Sequence, residues 1–204
     1  MALRLLPFRD YNEKNVINLF SLDTNVGTHQ LTDPDTNGDN DNGVFVTVNS
    51  GNLNLDPISL TSNSYLGKAH SSPVGRNRYP INPLRVKPAY TGENCIGLTL
   101  NQTLERDEND EKLLYYPVKK DELQAVVPGE TVPVASKGVF TVTSSAVDGS
   151  LTPGDQFKVS SSGKIGPTAS GASDDPVLGI VLGTGSRAAG DAYAGNYYLI
   201  KLDA

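Results

Sequence analysis

The residues best suited to chemistry in this sequence are oxygen-bearing side chains at every second position from 33 to 41. Their spacing matches a calcium-binding loop, with Gly38 at the sixth position, because a hard cation takes several carboxylate and carbonyl oxygens. The bidentate glutamate of such a loop is missing, since Val44 stands at the twelfth position, and Pro34 restricts the entry. The oxygen-bearing residues are Asp33, Asp35, Asn37, Asp39 and Asp41.

Two interpretations of this loop stay open, a calcium site and an exposed loop of Asx turns before a strand. The missing glutamate favours the exposed loop. We therefore predict no metal site.

The sequence offers little for catalysis. His29 and His70 are isolated among polar neighbours, and there is no Gly-x-Ser-x-Gly elbow, Walker A loop or His-Glu-x-x-His helix. Gly183 and Gly185 begin like a dinucleotide-binding loop, but they lie between two predicted strands, whereas that loop joins a strand to a helix. The Ser-Ser-Ser-Gly-Lys segment at 160–164 lacks the leading glycine of a phosphate loop. We predict that the protein is not an enzyme and has no catalytic residues and no cofactor.

Two tyrosine pairs are the candidate aromatic platforms. Tyr115-Tyr116 and Tyr197-Tyr198 lie in predicted strands, where alternation buries one ring of each pair and exposes the other. A sugar-binding surface is an alternative that no cluster in the sequence supports.

The elements that position these residues are mostly short strands, because turn signals recur every 8–15 residues or so and apolar residues alternate between them. We expect a mainly β fold, a small antiparallel β-sandwich or barrel with extended arms and one short N-terminal helix. The glycine-rich stretch 183–190 is predicted as a loop. The strands are predicted at 44–48, 95–100, 113–116, 139–143, 156–160, 177–182 and 197–202.

The N-terminal helix is predicted within residues 10–20. Asp10 and Glu13 have the spacing of a capping box. The apolar residues that follow could share one helical face. A second short helix is predicted near 119–126, between two prolines.

Composition excludes several classes of protein. The 204 residues carry a net charge of −6, which argues against a protein that coats nucleic acid. No apolar run approaches the roughly 18 residues of a membrane span, and the stretch before Arg9 is too short for a secretory signal. The single cysteine, Cys95, forms no intrachain disulfide and is interpreted as a small buried hydrophobe, compatible with the reducing cytoplasm.

Residues 68–90 form an unusual segment with five basic residues, four prolines and no acid. The prolines bias the chain towards extended conformations, so we expect an arm and not a helix or a central strand. The arm either packs as a connector or reaches an acidic surface on a neighbouring chain. A domain boundary is predicted near Pro128, giving an N-terminal part, 1–127, and a compact C-terminal β-domain, 128–204.

Two blocks of sequence combine turns and strands in a recognisable order. The first runs from Gly97-Leu-Thr-Leu through the charged stretch 105–112 to Pro117, and continues through 130–134 and 137–140. The second contains Pro153-Gly-Asp155, a Ser-Gly-Lys turn ending at Lys164, Val177-Leu-Gly-Ile-Val181 and residues 198–202. Together they resemble small β-rich structural proteins of tailed bacteriophages, in particular capsid decoration or cement proteins. Residues 11–20 also resemble the opening of phage virion proteins encoded near the head genes.

The resemblance implies a structural protein of the virion, with no direct contact to nucleic acid or membrane. Cement proteins bind major capsid protein on the outside of the expanded head, bridge its capsomers and are commonly trimeric. It implies assembly in the bacterial host cytoplasm and a homo-oligomer, with a trimer favoured. We expect the capsid contacts in 68–90 and in 1–9, with the C-terminal domain pointing outward or forming the trimer.

Two other functions stay open. One is a tail or head-fibre adhesin whose β-domain binds a host surface glycan, with or without calcium. The other is a cellular β-rich binding module.

Overall fold

A computed structural model of the protein describes residues 4–22, 41–50, 84–104, 106–107, 109, 111–127, 130–168, 176–191 and 193–204. Within these residues the fold is mainly β, as the sequence predicts. The strands are β1 (Leu5–Asp10), β2 (Val16–Leu22), β3 (Phe45–Ser50), β4 (Leu84–Pro88), β5 (Gly97–Thr99), β6 (Gln102–Thr103), β7 (Ala125–Val126), β8 (Val132–Ala135), β9 (Lys137–Thr143), β10 (Gln156–Val159), β11 (Ile165–Pro167), β12 (Gly179–Arg187) and β13 (Gly195–Asp203). One α-helix, α1 (Pro117–Glu122), accompanies them in the described part of the chain.

Six strands form an antiparallel sheet in the order β1-β9-β13-β12-β10-β11. Its longest pairing is the β12–β13 hairpin, whose register runs from Gly179 opposite Leu202 to Arg187 opposite Gly195. The predicted strands at 139–143, 156–160 and 197–202 correspond to β9, β10 and β13.

Five other strands close into a small barrel in the order β2-β4-β3-β5-β8. Only the β2–β4 pair is parallel within this barrel, and the remaining described pairs are antiparallel. Its interior is aliphatic, with one phenylalanine. The buried residues are Phe20, Leu22, Val44, Val46, Val86, Val132 and Val134.

Sheet membership crosses the predicted boundary at residue 128 in both directions. Strand β1 pairs with β9 in the C-terminal sheet, whereas β8 pairs with β2 and β5 in the barrel. One hydrophobic cluster contains Leu5, Phe45 and Leu98 together with Phe140 and Phe157. The two predicted parts therefore share both strands and a core, and the boundary near Pro128 stays a prediction.

The turn at 160–164 joins the six-stranded sheet to the barrel. The backbone N–H of Phe45 donates to the carbonyl oxygen of Gly163 at 3.0 Å, and Gly163 N–H donates to Ala89 at 2.9 Å. Arg4, which is only 1% exposed, donates from Nη1 to the carbonyl oxygens of Ser162 (3.1 Å) and Gly163 (3.4 Å). A buried cation is costly unless it is paired, so these contacts fix the turn and the chain start together. We call this region the Gly163 junction.

The predicted N-terminal helix is confirmed only as a single 3-10 turn, Glu13–Asn15. Val16 and Ile17, expected on a helical face, lie in β2 and pair with Ala135 and Val134. The β-branched side chains fit a pleated surface better than a helix, and the distant β8 supplies the partner.

Two further local predictions were wrong. The predicted strand at 113–116 is a 3-10 turn, Leu113–Tyr115, leading into α1, because Pro117 occupies a first-turn position that favours helix. The predicted loop at 183–190 is strand as far as Arg187, because Tyr197 and Tyr198 on β13 pair with its small residues.

Candidate interaction surface

The most exposed apolar group in the described part of the chain is a short aromatic projection at residues 114–118, here called the knuckle. Leu114 is 62% exposed, Tyr115 71%, Tyr116 45% and Val118 71%. Contiguous exposed apolar side chains of this kind mark protein-binding surfaces more often than scattered single ones. Tyrosine is also enriched at the centres of protein interfaces, because its ring is apolar and its hydroxyl is polar.

A small hydrophobic cluster anchors the knuckle. Leu113, immediately before it, is fully buried and packs with Leu104 and Ala125. The parallel pair β6–β7 carries this cluster, and α1 follows the knuckle directly. The exposed side chains are therefore presented from a folded base.

Asp107 ties the base of the knuckle to α1. Its Oδ1 accepts from the backbone N–H groups of Asn109 and Glu111, each at 2.8 Å, and its Oδ2 accepts from Lys119. The hydrogen bond from Lys119 lowers the pKa of Asp107 below its ordinary value, and the two backbone donors act in the same direction. Asp107 is thus held as a carboxylate that fixes three neighbouring segments.

A second ion pair fixes the other end of this unit. Lys120 on α1 donates to Glu130 at 3.0 and 3.1 Å, and Glu130 accepts from Val127 N–H at 2.9 Å. Burial acts to raise the pKa of Glu130, but these hydrogen bonds outweigh it and the pKa is lowered. The helix that carries Val118 is therefore attached to the chain on both sides.

An apolar groove of about 500 Å³ lies beside β1, at the edge of the six-stranded sheet. Phe8, which is 61% exposed, lines it with Leu6, Tyr197 and Leu199. Leu6, Pro7 and Phe8 of its lining belong to 1–9, one of the two segments expected to contact the capsid. Among the described residues of that segment, Phe8 offers the large exposed apolar side chain.

A polar cleft of about 720 Å³ lies on another side of β1. Arg9 projects there and is held by carbonyl oxygens, Nε to Leu6 at 3.2 Å and Nη1 to Leu100 at 3.3 Å. Burial lowers the pKa of Arg9, and Tyr11 opposes that shift. The groove and the cleft share Pro7 and Tyr193, so one strand separates two surfaces of different chemistry.

The structure places only the end of the predicted basic arm. Residues 84–88 are strand β4, paired on both sides within the barrel, so this part of the arm is a central strand, contrary to the prediction. The neighbouring strands β2 and β3 form backbone hydrogen bonds with β4 on its two sides. The side chain of Lys87 forms an ion pair with Glu93, with Nζ and Oε1 2.5 Å apart. The earlier part of the arm, with Arg76 and Arg78, lies outside the described residues.

The acidic loop at 33–41, whose two interpretations are a calcium site and an exposed loop of Asx turns, also lies outside the described residues except at Asp41. There Asp41 is 3.9 Å from Nε of the buried Arg4, and its carbonyl oxygen accepts from Thr99 at 3.4 Å. In the described part of the chain, no group of three or more histidine, cysteine or acidic residues could hold a metal ion. His29 and His70 lie outside it as well.

The glycine and tyrosine motifs have structural positions. Gly185, in β12, packs against the ring of Tyr197, where a Cβ atom would come within 2.4 Å of it. Tyr197 and Tyr198 are both half-buried, whereas Tyr115 and Tyr116 are both exposed. The expectation of one buried and one exposed ring in each pair was therefore wrong. Tyr115 and Tyr116 lie at a 3-10 turn, which does not alternate as a strand does, whereas Tyr197 and Tyr198 do lie in a strand, β13, where each ring is partly covered.

Sequence reasoning named Tyr115 and Tyr116 as a candidate aromatic platform, but it missed the exposed Leu114 and Val118 beside them. It also missed Arg4 as a buried group. The signal for the knuckle was present, because apolar residues stand next to Pro117 and a charged stretch. Nothing in the local sequence distinguishes Arg4 from an exposed arginine, since its partners are about 160 residues away.

Comparison with known proteins identifies no relative: no family model, no curated protein and no solved structure matches the chain. Among the residues that the structure describes, no helix has the length and apolar character needed to span a membrane.

Proposed function

We propose that the protein is a structural component of a bacteriophage capsid exterior, where it binds major capsid protein and cements neighbouring copies. The resemblance to decoration and cement proteins supports the class of partner. The observation that carries the proposal is the knuckle at 114–118, an exposed apolar surface on a base fixed by buried and ion-paired residues.

The contact surfaces of the proposal are the knuckle and the groove beside Phe8. Both present exposed apolar side chains next to one another. Patches of this kind mark protein-binding surfaces, because burial against a partner removes their apolar area from water. The two interlocked sheets suit a mechanical role, because a core shared between them resists separation of the two halves. A homo-oligomer, with a trimer favoured, belongs to the same proposal and would appear as a threefold mass in light scattering.

Binding to expanded heads tests the contact. The double variant Tyr115→Ser, Val118→Ser removes two exposed side chains whose burial at an interface would contribute roughly 1.5 kcal/mol each. We expect roughly a hundredfold loss of affinity for purified heads in co-sedimentation, since about 3 kcal/mol corresponds to that ratio. The melting temperature should stay unchanged, because both residues are exposed.

The control is Val177→Ser, Leu182→Ser, which removes two exposed apolar side chains outside the knuckle, 44% and 47% exposed against 71% for Tyr115 and Val118. This control should bind heads as the unaltered chain does. Undiminished binding of a folded knuckle variant would contradict the assigned surface. Labelled chain located on tails and absent from heads would overturn the capsid assignment and favour the adhesin.

A further inference from the structure

The polar cleft beside β1 has the composition of a ligand site, and nothing in the capsid proposal requires it. Its volume of about 720 Å³ falls in the range of small-molecule sites. Five separate parts of the chain form its walls. They are β1 with the turn after it, Asn42 before β3, Gln102 in β6, the end of α1, and the β12–β13 hairpin loop with Tyr193.

Two largely buried amide residues line this cleft, and each makes one side-chain hydrogen bond among the described residues. Asn42 is 6% exposed and accepts at Oδ1 from Leu5 N–H at 3.2 Å. Gln102 is 7% exposed and donates from Nε2 to the carbonyl oxygen of Leu123 at 2.6 Å. The remaining atoms, Nδ2 of Asn42 and Oε1 of Gln102, have no hydrogen-bond partner among the described residues. They supply one donor and one acceptor to the cleft.

The charged groups of the cleft restrict what it can bind. Asp10, Glu13 and Glu122 line it together with Arg9, so its side chains carry a net negative charge. An anionic ligand would be repelled, and an apolar ligand would leave the buried amides unpaired at a cost of about 1–3 kcal/mol each. The described acidic residues do not converge as metal ligands do. A neutral or amine-bearing ligand with several hydroxyl groups satisfies all of these conditions.

Two tyrosines complete the lining. Tyr11 is half-buried and stacks on Phe140 with ring centroids 5.7 Å apart, so its position is fixed. Tyr193 is 48% exposed and has a φ of +59° in the hairpin loop. A tyrosine ring gives an apolar face to C–H groups and a hydroxyl to polar ones, a combination that a sugar ring needs.

We propose that this cleft binds a neutral or amino-bearing sugar residue of a glycan. The amides of Asn42 and Gln102 and the carboxylate of Glu122 pair with its hydroxyl or amine groups, and Tyr193 covers one side. The proposal is separate from capsid binding at the knuckle. Tyr193 also lines the groove beside Phe8, so Glu122→Ala, which changes the cleft and not the groove, is the variant that separates the two proposals.

A glycan array carrying neutral, amino-bearing and sialylated oligosaccharides, probed with the labelled full chain, tests the proposal. We expect binding to neutral or amino-bearing glycans and none that depends on sialic acid. Tyr193→Gly, which suits the positive φ, should weaken binding at least tenfold, and Glu122→Ala about fivefold. Saturation-transfer NMR with the best arrayed sugar should show the same order.

The matched controls are Asp121→Ala, on the same helix but outside the cleft, and Tyr115→Ser, which removes an exposed tyrosine elsewhere. Both should bind glycans within twofold of the unaltered chain. A folded protein that binds no arrayed glycan, or that binds equally well with Tyr193→Gly and Glu122→Ala, would overturn the proposal. Binding to a lysine-rich peptide without any glycan binding would overturn it as well, since charge alone would then explain the cleft. Capsid binding is tested by head binding of the knuckle variant, and glycan binding is tested with the cleft variants. Failure of one proposal therefore leaves the test of the other valid.

Discussion

The Gly163 junction and the knuckle at 114–118 are both well fixed, but by different contacts. At the junction, the turn at Gly163 contacts Phe45, Ala89 and Arg4, all far away in sequence, through buried backbone groups. At the knuckle, Asp107 contacts residues no more than 12 positions away, and the side chains above it face solvent.

The contacts of the Gly163 junction hold the two sheets together, whereas the knuckle presents side chains to a binding partner. A defect at the junction affects both the six-stranded sheet and the barrel. The turn at 160–164 connects β10 and β11 of the sheet, whereas Phe45 belongs to β3 of the barrel. A defect at the knuckle acts on a small local unit whose core is three buried residues. The junction should therefore control global stability, and the knuckle should control binding.

The largest effect is expected from Gly163→Ala. Gly163 has a φ of +64°, and an added Cβ would lie 2.4 Å from Val44 Cγ1 and 2.9 Å from the carbonyl oxygen of Phe45. Backbone strain and overpacking together should lower the free energy of unfolding by about 3 kcal/mol, measured by urea denaturation.

Gly154→Ala is the matched control for that variant. Gly154 has a φ of +94°, but nothing lies within 4 Å of the position of its Cβ. Only the backbone term applies, so the expected loss is about 1 kcal/mol. Equal losses in the two variants would show that the close approach to the barrel contributes nothing.

The rate of alkylation of Cys95 gives a second measure of how strongly the junction stabilises the core. It belongs to the core cluster that the two sheets share, and burial raises the pKa of its thiol to about 12. Alkylation by iodoacetamide at pH 8 should therefore be slow in the native protein and proceed through opening of the core. Gly163→Ala should accelerate it by roughly a hundredfold, in proportion to its loss of stability. The same rate in Gly163→Ala and the unaltered chain would show that Cys95 is reached without opening the junction.

The smallest effect is expected from Asp107→Asn. The pKa of Asp107 is lowered from its ordinary value of 3.8 in the folded state, chiefly by Lys119. Its carboxylate therefore stabilises the fold fully at pH values above the pKa of the unfolded chain. That contribution is lost as pH falls through the lower, folded pKa. The variant should thus melt at a lower temperature than the unaltered chain at pH 7, and the two melting curves should converge as pH falls below the lowered pKa of Asp107. Asp121→Asn, on the exposed face of α1, should change neither curve, and a difference that persists at low pH would contradict the role of the charge.

The sequence predicts the strands whose apolar residues alternate between clear turns. Residues 137–143 and 195–203 are such strands, and the Pro153-Gly154-Asp155 turn lies where it is expected. The same reasoning fails where a distant partner decides. The spacing of Val16 and Ile17 also matches a helical face, and their pairing with β8, more than 110 positions later, places them in a strand.

The candidate sites are predicted less well, for a related reason. Apolar residues at 113–116 look like a strand until Pro117 starts a helix, so that only Leu113 is buried. Asn42 and Gln102 are ordinary amides in the sequence, and only the fold brings them to one cleft. Burial and convergence depend on long-range contacts that local pattern does not encode.

The pairing of β1 with β9 also constrains how the chain is made. Asp10 pairs with Val139, 129 positions further along, so β1 leaves the ribosome long before its partner exists. Until then Leu5 and Leu6, both buried in the finished protein, are open to solvent and to other chains. Contacts of such long sequence separation form slowly, because a long loop must close first. The six-stranded sheet therefore cannot be completed until β9 and β13 have been translated. Chaperones can act on β1 in the interval between its synthesis and theirs.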